Sequence, residues 1–321
     1  MIRVIAAGIC SSLQDLGRIG WQAQGIGPSG AMDAWAARVA NVLLDNDENA
    51  TLLEMCVNGA QLQVERANWF ALTGADMDAR IDGQAVPLCR PVWFEQGSRI
   101  MFSAARRGCR AYLAVRGGFA ADRWLGSTAT DIRARRGGID GRVLRRDDLL
   151  RYQRVAPVAS PRRVTWSTCL ALPAADSPVE LALIPGPALM QLEVAARRVF
   201  EERGFTVSKD ADRMGLRLGE SLPSADRVPA ILSQAVMFGA VQLPPDGKPI
   251  ILGADRQTTG GYPLLGVVAG VDHRGVAQLR SGDCLRFRLL DVAGAQSAWR
   301  LREQRLRRFR LAAQAWWRGC A

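Results

Sequence analysis

Histidine is nearly absent from this sequence, since His273 is the only one among 321 residues. A mechanism that needs two imidazoles is therefore excluded, as are His-rich metal sites and most Ser-His or Cys-His triads. The seven cysteines are odd in number and contain no C-x-x-C pair. This pattern is typical of small buried side chains in a reducing compartment rather than of a disulfide framework or a zinc site. Carboxylates, arginines, hydroxyls and backbone amides must carry any chemistry.

Long hydrophobic runs are absent as well. A membrane span needs about 18 consecutive uncharged apolar residues, and no stretch of this sequence approaches that length. The apolar start, Met1–Cys10, is too short and too interrupted for a secretion signal, so a soluble, cytoplasmic protein is expected. A composition with 48% hydrophobic and 23% charged residues excludes a disordered chain and a coiled coil. At about 150 residues per domain, the length predicts two domains.

The net charge of +11 is concentrated at the C-terminus. Residues 296–321 contain seven arginines and one acid, which places +6 there and leaves +5 for the other 295 residues. Apolar side chains recur in this tail with helical spacing, at Trp299, Leu306, Phe309, Ala313 and Trp316. An amphipathic helix is predicted, docked on a partner or on the body; a membrane surface and RNA are the alternatives. No nucleic-acid-binding motif accompanies it, so no nucleic acid is expected as a partner.

Most of residues 50–155 is composed of short alternating segments, about ten residues apart, that are typical of strands in a sandwich or barrel. Asp82-Gly83 is a hairpin-turn signal within this region. Helical patterns occupy Ala31–Leu44 and the region near Ala188–Arg203, the latter followed by Gly204 at a favoured C-cap position. The predicted fold class is mainly β with a few helices.

The chain is predicted to divide into a domain at 1–155, a Pro- and Ala-rich linker at 156–178, a domain at 179–292 and a basic helical tail at 293–321. Arg145–Tyr152 and Arg280–Phe287 match at five of eight positions with an offset of 135 residues. Two related β-domains would explain this echo, although a match this short is weak support for a duplication.

Gly25-Ile-Gly-Pro-Ser-Gly30 fits the G-x-G-x-x-G pattern and precedes the first helix. No buried strand comes before it, so a dinucleotide fold is not favoured. A loop that caps the helix fits better, with Ser29 or Gly30 near the N-cap and Asp33 in the first turn. Local anion binding stays open.

The most polar segment follows the predicted strand Pro249–Leu252. Asp246 lies in the turn before this strand, and Asp255–Tyr262 after it is polar up to its glycines. Arg256 suits a carboxylate or a phosphate, and Asp255 could orient it or act as a base. Because Gly260-Gly261 permits close backbone approach, a binding loop is favoured over a structural one.

Five segments together resemble the family of the 5-oxoprolinase C subunit, which is also called PxpC, KipA or biotin-dependent carboxyltransferase-like. They are Gln14–Arg18, Pro28–Asp33, Thr73–Asp76, Asp212–Leu218 and Ala254–Pro263, of which the last is the most specific. The resemblance covers about residues 3–290. Ile19 stands where the family usually has Pro, and Ala6-Ala7-Gly8 replaces a usual Pro-Gly.

The resemblance implies two cyclophilin-like β-barrel domains and two partner subunits, one KipI-like and the other LamB/YcsF-like. The implied reaction hydrolyses 5-oxo-L-proline to L-glutamate at the expense of ATP with Mg²⁺. Phosphorylation of the lactam oxygen would activate the ring for opening, and such a site needs no histidine. Two alternatives stay open, a carboxyltransferase component that uses biotin held by another chain and a KipA-like regulator without enzymatic activity.

The resemblance also implies the site residues. No metal site is assigned among them, and Asp246 and Asp255 are candidate acid/base or metal-linked carboxylates. Candidate catalytic residues are Asp246, Asp255 and Arg256. Candidate contacts to substrate or nucleotide on the same loop are Gln257, Thr258, Thr259, Gly260, Gly261 and Tyr262. An opposing wall is expected from Gln14, Asp15, Arg18, Ser29, Gly30 and Asp33. Secondary candidates are Asp76, Asp212 and Arg213.

Overall fold

The computed structural model describes residues 1–153, 164, 166–168, 170, 172 and 177–319. The chain is mainly β, with 32% strand and 22% helix, as the sequence predicts. The contacts divide it into two compact units. The first comprises Met1–Arg18, Ser29–Leu172 and Gln304–Ala321, and the second comprises Ile19–Pro28 and Pro173–Glu303. Most of the predicted linker at 156–178 lies outside the described residues.

The first unit contains eleven strands and one complete helix among its described residues. They are β1 (Ile2–Ala6), β2 (Cys10–Gln14), α1 (Ala34–Leu43), β3 (Leu52–Cys56), β4 (Gln61–Val64), β5 (Asn68–Asp76), β6 (Arg80–Ile81), β7 (Gln84–Ala85), β8 (Pro91–Phe94), β9 (Arg99–Met101), β10 (Arg107–Val115) and β11 (Leu149–Leu150). One sheet has the order β11-β1-β4-β9-β6-β7 and the other β2-β3-β10-β5-β8. The hairpin predicted at Asp82-Gly83 is confirmed, because it joins the antiparallel β6 and β7.

Strand β5 shows how the first unit forms two apolar layers. Phe70 and Leu72 belong to the core formed by side chains of both sheets. Trp69 and Ala71 point the other way, into a second cluster with α1. Because successive strand residues face opposite sides, a strand segment that is buried on both faces is apolar throughout, as Trp69–Leu72 is.

Helix α1 begins three residues later than its apolar pattern predicts. Asp33 is the N-cap, and its carboxylate accepts a hydrogen bond of 2.9 Å from the Ala36 N–H. The Asp33 N–H donates to the Tyr112 hydroxyl at 2.7 Å. The prediction that Ser29 or Gly30 lies near the cap is therefore wrong, because the short side chain able to accept the orphan N–H belongs to Asp33.

The second unit is built around a curled sheet. Its elements are β12 (Val179–Pro185), α2 (Pro187–Gln191), α3 (Val194–Glu202), β13 (Phe205–Thr206), β14 (Gly215–Arg217), β15 (Gln234–Ala235), β16 (Ala240–Gln242), β17 (Ile250–Leu252), β18 (Thr259–Gly260), β19 (Leu264–Val268), α4 (His273–Gln278) and β20 (Cys284–Leu289), with 3-10 turns at Gln22–Gln24, Ala225–Arg227 and Gly270–Asp272. Seven strands pair in the order β13-β20-β12-β19-β16-β17-β14, and β15 pairs with β18. The single helix predicted near 188–203 is two helices, because Leu192 between them has an extended backbone.

The echo between the two halves corresponds to a repeated turn. The Arg145 N–H donates to the Asp148 carboxylate at 2.7 Å, and the Arg280 N–H donates to Asp283 at 2.8 Å. Each turn leads into a strand, β11 in the first unit and β20 in the second. The likeness extends to one residue opposite each turn. The Val4 N–H donates to the Asp148 carbonyl and the Val207 N–H to the Asp283 carbonyl, and each valine carbonyl accepts a backbone N–H from the same turn. The assignment of both units as cyclophilin-like barrels stays a prediction.

The last helix, α5 (Val292–Arg318), packs along the body. In the first unit, Leu306, Ala313 and Trp317 are buried in the cluster of α1, and the Trp317 indole N–H donates to the Leu43 carbonyl at 3.0 Å. In the second unit, Arg302 donates to the Val271 carbonyl at 2.9 Å. Most of the stretch predicted as a separate tail is thus part of a packed helix, Val292–Arg318. Among the described residues, no helix is long and apolar enough to cross a membrane.

Candidate functional site

The polar segment Gly253–Tyr262 forms a loop of the second unit that begins where β17 ends. On one side, the Asp255 N–H donates to the Arg213 carbonyl at 2.9 Å. On the other side, β18 pairs with β15, and the Val236 N–H donates to the Thr258 carbonyl at 3.1 Å. Backbone bonds therefore hold the loop from two directions.

Asp255 forms a two-point ion pair with Arg213. The two oxygens of the carboxylate lie 2.7 Å from Nε and 3.1 Å from Nη2 of the guanidinium. Both side chains are largely buried, with 12% and 14% exposed. The sequence allows Asp255 to orient Arg256 or to act as a base, whereas the structure gives Arg213 as its ion-pair partner. The register of β14 with β17 brings these two residues together.

Arg256 is a buried cation held by carbonyl groups. It is 9% exposed, and it donates to the Gly253 carbonyl at 3.1 Å and to the Val236 carbonyl at 3.4 Å. Within the described residues its guanidinium makes no ion pair. Burial lowers the pKa of this side chain from its ordinary value. A buried guanidinium without a carboxylate partner is suited to an anionic ligand.

His273, the single histidine, lies in the same region of the second unit. Its ring packs on Phe238 with a centroid distance of 4.5 Å, and Nε2 lies 3.1 Å from the Val268 carbonyl. Burial lowers the pKa of the imidazole to about 4, and the charges of Arg302 and Arg256 act in the same direction. At neutral pH the ring is uncharged, so Nε2 donates to the carbonyl.

The rim of the loop carries polar side chains that the fold does not use. Gln257 and Thr259 are exposed, Thr258 is half-buried, and Tyr262 is 44% exposed. None of these four side chains makes a hydrogen bond to another described residue. Between them, Gly260 and Gly261 are half-buried. Hydroxyls, an amide and a backbone without Cβ atoms are thus available to a small polar ligand beside Arg256.

Gln242 is a further residue of this region that motif reading does not single out. It is 2% exposed, and its Nε2 lies 2.6 Å from the position that a Cβ at residue 260 would occupy. A side chain at residue 260 would therefore push the end of this amide aside. The alternation in β16 is the signal that could have found it, because Val241 faces the core and Gln242 faces the other side.

The glycine-rich segment Gly25–Gly30 is divided between the two units. Gly27 belongs to the second unit, and a Cβ at this position would lie 3.2 Å from the Arg256 carbonyl oxygen. Gly30 belongs to the first unit, has a positive φ of 89° and would place a Cβ 2.7 Å from the Gly17 nitrogen. Ser29 has a positive φ of 53°. The structure thus brings one end of this segment against the candidate loop.

The residues predicted as an opposing wall belong to the first unit, and their polar groups are largely engaged. The Asp15 carboxylate is 3% exposed and accepts bonds from the Gly17 N–H at 2.8 Å, the Ser127 hydroxyl at 2.6 Å and the Thr128 N–H at 2.7 Å. Arg18 is 1% exposed and pairs with Asp131 at 3.3 Å. These contacts stabilise the turn after β2.

Gln14 ends β2 beside this turn and is 1% exposed. Its amide donates to the Ser12 hydroxyl at 2.9 Å and to the Thr130 carbonyl at 3.3 Å. The carbonyl oxygen of the same side chain has no partner among the described residues.

Three of the predicted carboxylates cap their own turns. Each accepts the backbone N–H two residues later, at distances of 3.0, 2.7 and 3.1 Å for Asp76, Asp212 and Asp246. Such local bonds are typical of turn residues. Asp246 and Asp255 lie at opposite ends of β17, so the structure does not bring these two candidate catalytic carboxylates together. The described residues contain no group of three or more metal-ligating side chains.

The fold and the site define a mainly β protein with a glycine-containing polar loop around a buried cation, an arrangement suited to a small polar or anionic ligand. A family description, "Carboxyltransferase domain, subdomain A and B", matches residues 24–289. The chain belongs to this family.

Relatives with established names agree with the resemblance seen in the motifs. The chain is 32% identical over 297 residues to the 5-oxoprolinase C subunit of Escherichia coli, with 89% of this chain and 90% of the relative covered. It is 33% identical over 304 residues to the 5-oxoprolinase C subunit of Haemophilus influenzae, with 95% of each covered.

Longer proteins also contain a similar region. Urea amidolyase of Saccharomyces cerevisiae is 28% identical over 316 residues, which cover 92% of this chain and 17% of that protein. The solved structure of TTHA0988 is 31% identical with a TM-score of 0.78, and 89% of this chain covers 55% of it. The chain therefore spans about half of TTHA0988 and a minor part of urea amidolyase.

Proposed function

We propose that this chain is the C subunit of an ATP-dependent 5-oxoprolinase, which converts 5-oxo-L-proline to L-glutamate together with LamB/YcsF-like and KipI-like subunits. The two relatives that carry this name match nearly along their whole length. The observation that carries the proposal is Arg256, a buried cation without an ion pair in the described chain, beside unused hydroxyls of Thr258 and Thr259. The cytoplasmic location stays a prediction.

The chemistry of the reaction fits this set of groups. A lactam is a resonance-stabilised amide, and phosphorylation of its oxygen makes the ring C–N bond easier to break. Catalysis of phosphoryl transfer rests on positioning and on stabilisation of negative charge. Arg256, the two threonine hydroxyls and the backbone at Gly260-Gly261 provide such groups. Asp255 contributes by holding Arg213 and thereby the start of the loop.

The same loop is suited to the phosphates of ATP. Hydroxyls, backbone N–H groups and a guanidinium are the donors that phosphate oxygens accept in proteins. The described residues offer no cluster of three carboxylates or other metal ligands, so Mg²⁺ is expected to arrive coordinated by the nucleotide.

A carboxyltransferase is the second candidate function. The name of the matching family and the similarity to a segment of urea amidolyase favour it. In this case biotin on another chain would deliver the carboxyl group, and the loop would bind the carboxylate and the acceptor amide.

Glutamate release from 5-oxo-L-proline and MgATP tests the proposal. The chain is combined with the subunits encoded beside it and then omitted, and Arg256→Ala is compared with Arg217→Ala, an exposed arginine of β14. We expect activity only with this chain present, and its loss in R256A but not in R217A while both complexes assemble. An assembled complex without glutamate release would contradict the proposal, and transfer from carboxybiotin would then favour the second candidate.

A further inference from the structure

Gln242 is a buried polar side chain that the fold leaves without a partner. It lies in β16 between β17 and β19, opposite Ile250 and Leu264, and is 2% exposed. Its carboxamide makes no hydrogen bond to any other described residue. Neither polar atom of this amide is among the fully enclosed side-chain atoms that lack a partner, so the amide stays accessible to water or to a ligand.

Apolar side chains form much of the face of the sheet on which Gln242 lies. Ala240 precedes it on the same face of β16, and Ile250 and Leu264 lie opposite it on the neighbouring strands. An apolar side chain of similar size would also fit against these neighbours, so their packing alone does not call for a glutamine.

The amide instead points at the candidate ligand loop. Its Nε2 lies 2.6 Å from the position of a Cβ at residue 260, and the Gln257 amide lies 3.5 Å from the same position. Gly260 follows Thr258 and Thr259, and the loop also carries Arg256. The Gln242 carboxamide, which makes no hydrogen bond to another described residue, and the Arg256 guanidinium, which makes no ion pair in the described chain, thus belong to one region of the second unit.

A carboxamide presents one donor and one acceptor side by side. A cis-amide within a ring presents its C=O and N–H on the same edge, so the two edges can form a pair of antiparallel hydrogen bonds. The lactam of 5-oxoproline has this edge together with a carboxylate, and the cyclic ureido group of biotin has the same edge.

We propose that Gln242 is a specificity-determining residue that recognises the cis-amide edge of a cyclic substrate through two hydrogen bonds. Arg256 then binds the carboxylate or phosphate of the same ligand. If the ligand is the lactam 5-oxoproline, this inference rests on the proposed function. Recognition of a cis-amide edge by Gln242 applies equally to a cyclic ureido group.

Ligand affinity of the full chain in its assembled complex tests this inference. The probes are 5-oxo-L-proline, its N-methyl derivative and L-proline, with biotin and N-methylated biotin as the ureido arm. Blocking the N–H removes one of the two bonds, so we expect the unmodified ring to bind at least about tenfold more tightly. In Gln242→Met this preference is lost, and in Gln242→Glu, which lacks the donor, it is weakened or reversed.

Thermal unfolding provides the matched control. Because the Gln242 amide has no partner in the described chain, Q242M is expected to leave the Tm unchanged or raised. Gln14 is equally buried but donates two hydrogen bonds, so Gln14→Met is expected to lower the Tm.

The outcomes separate the two proposals. A preference for the unmodified lactam that persists in Q242M, or a Tm that falls in Q242M as it does in Q14M, would overturn the inference even if glutamate is released. A preference confined to the ureido pair and abolished in Q242M would support recognition of the edge and contradict the oxoprolinase.

Discussion

Asp255 and Arg256 are adjacent in sequence, but the structure gives them different electrostatic environments. Asp255 is neutralised by Arg213 through two short contacts, whereas Arg256 is surrounded by carbonyl groups. The Asp255 charge acts on Arg256 through space, but it makes no ion pair with this guanidinium in the described chain, which leaves the guanidinium available to a negative ligand. This division of roles depends on one ion pair.

Removal of that ion pair should destabilise the second unit. In Asp255→Asn the Arg213 charge stays largely buried but loses its two-point contact with a carboxylate, so we expect the free energy of unfolding to fall by about 3 kcal/mol. Urea denaturation measures it, with Glu180→Gln as the control because its pair with Arg288 is largely exposed. The control should lose at most about 1 kcal/mol. Equal, small losses would show that the Asp255 pair does not hold the loop.

His273 offers a residue-scale prediction that depends on pH. Its pKa is lowered from 6.5 to about 4, so the unfolded chain takes up a proton between these values that the folded chain refuses. Stability should therefore fall as the pH drops from 6.5 towards 4, and His273→Gln should reduce this loss. Because the chain has one histidine, an NMR titration reads its pKa directly. A midpoint near 6.5 would contradict the buried, neutral ring.

At the scale of elements, α5 shows how a charged helix becomes part of a core. Its arginines dominate the composition, but its buried contacts with the first unit are made by apolar side chains, and Arg310 adds an ion pair with Glu48. Trp317 is 3% exposed, packs edge-on against Trp69 at 5.4 Å and lies under the Arg116 guanidinium at 3.8 Å. Leu311, on the opposite side of the same helix, is 67% exposed.

Truncation of Trp317 should destabilise the protein much more than truncation of Leu311. Trp317→Ala removes a large buried ring and the hydrogen bond to Leu43, so we expect a loss of about 3–5 kcal/mol in the free energy of unfolding. Leu311→Ala should change it by less than about 0.5 kcal/mol. Chemical denaturation of the full chain compares them. A mild effect of W317A would mean that α5 is not packed as described.

At the scale of the whole molecule, local patterns predicted what depends on local physics. Alternation identified the strands, and Asp82-Gly83 identified its hairpin, because turn chemistry and side-chain period are properties of short segments. The start of α1 was missed by three residues because Asp33 is fixed by Tyr112, a contact between distant parts of the chain. The position of α5 likewise depends on contacts with α1, which is distant in sequence.

The candidate site was predictable in place but not in function. The density of polar residues indicated a site at Asp255–Tyr262, but it also indicated Asp15 and Arg18. The side chains of these two residues are already bonded within the first unit, where they stabilise the turn after β2. Residue type does not reveal whether a donor is already satisfied, since that depends on strand register and on distant partners. Gln242 was passed over for the same reason, because the alternation in β16 assigns its side chain to one face of the sheet but does not reveal whether the amide has a partner.

The central claim is that the unused hydroxyls of Thr258 and Thr259 bind ligand, and isosteric removal tests it most directly. In the assembled complex, Thr258→Val with Thr259→Val should lower kcat/KM for 5-oxo-L-proline and MgATP by about 10- to 100-fold. The Tm should stay unchanged, because neither hydroxyl bonds to a described residue. Thr206→Val in β13 is the control and should retain activity. Full activity in the double variant would contradict the assignment of this loop as the ligand site.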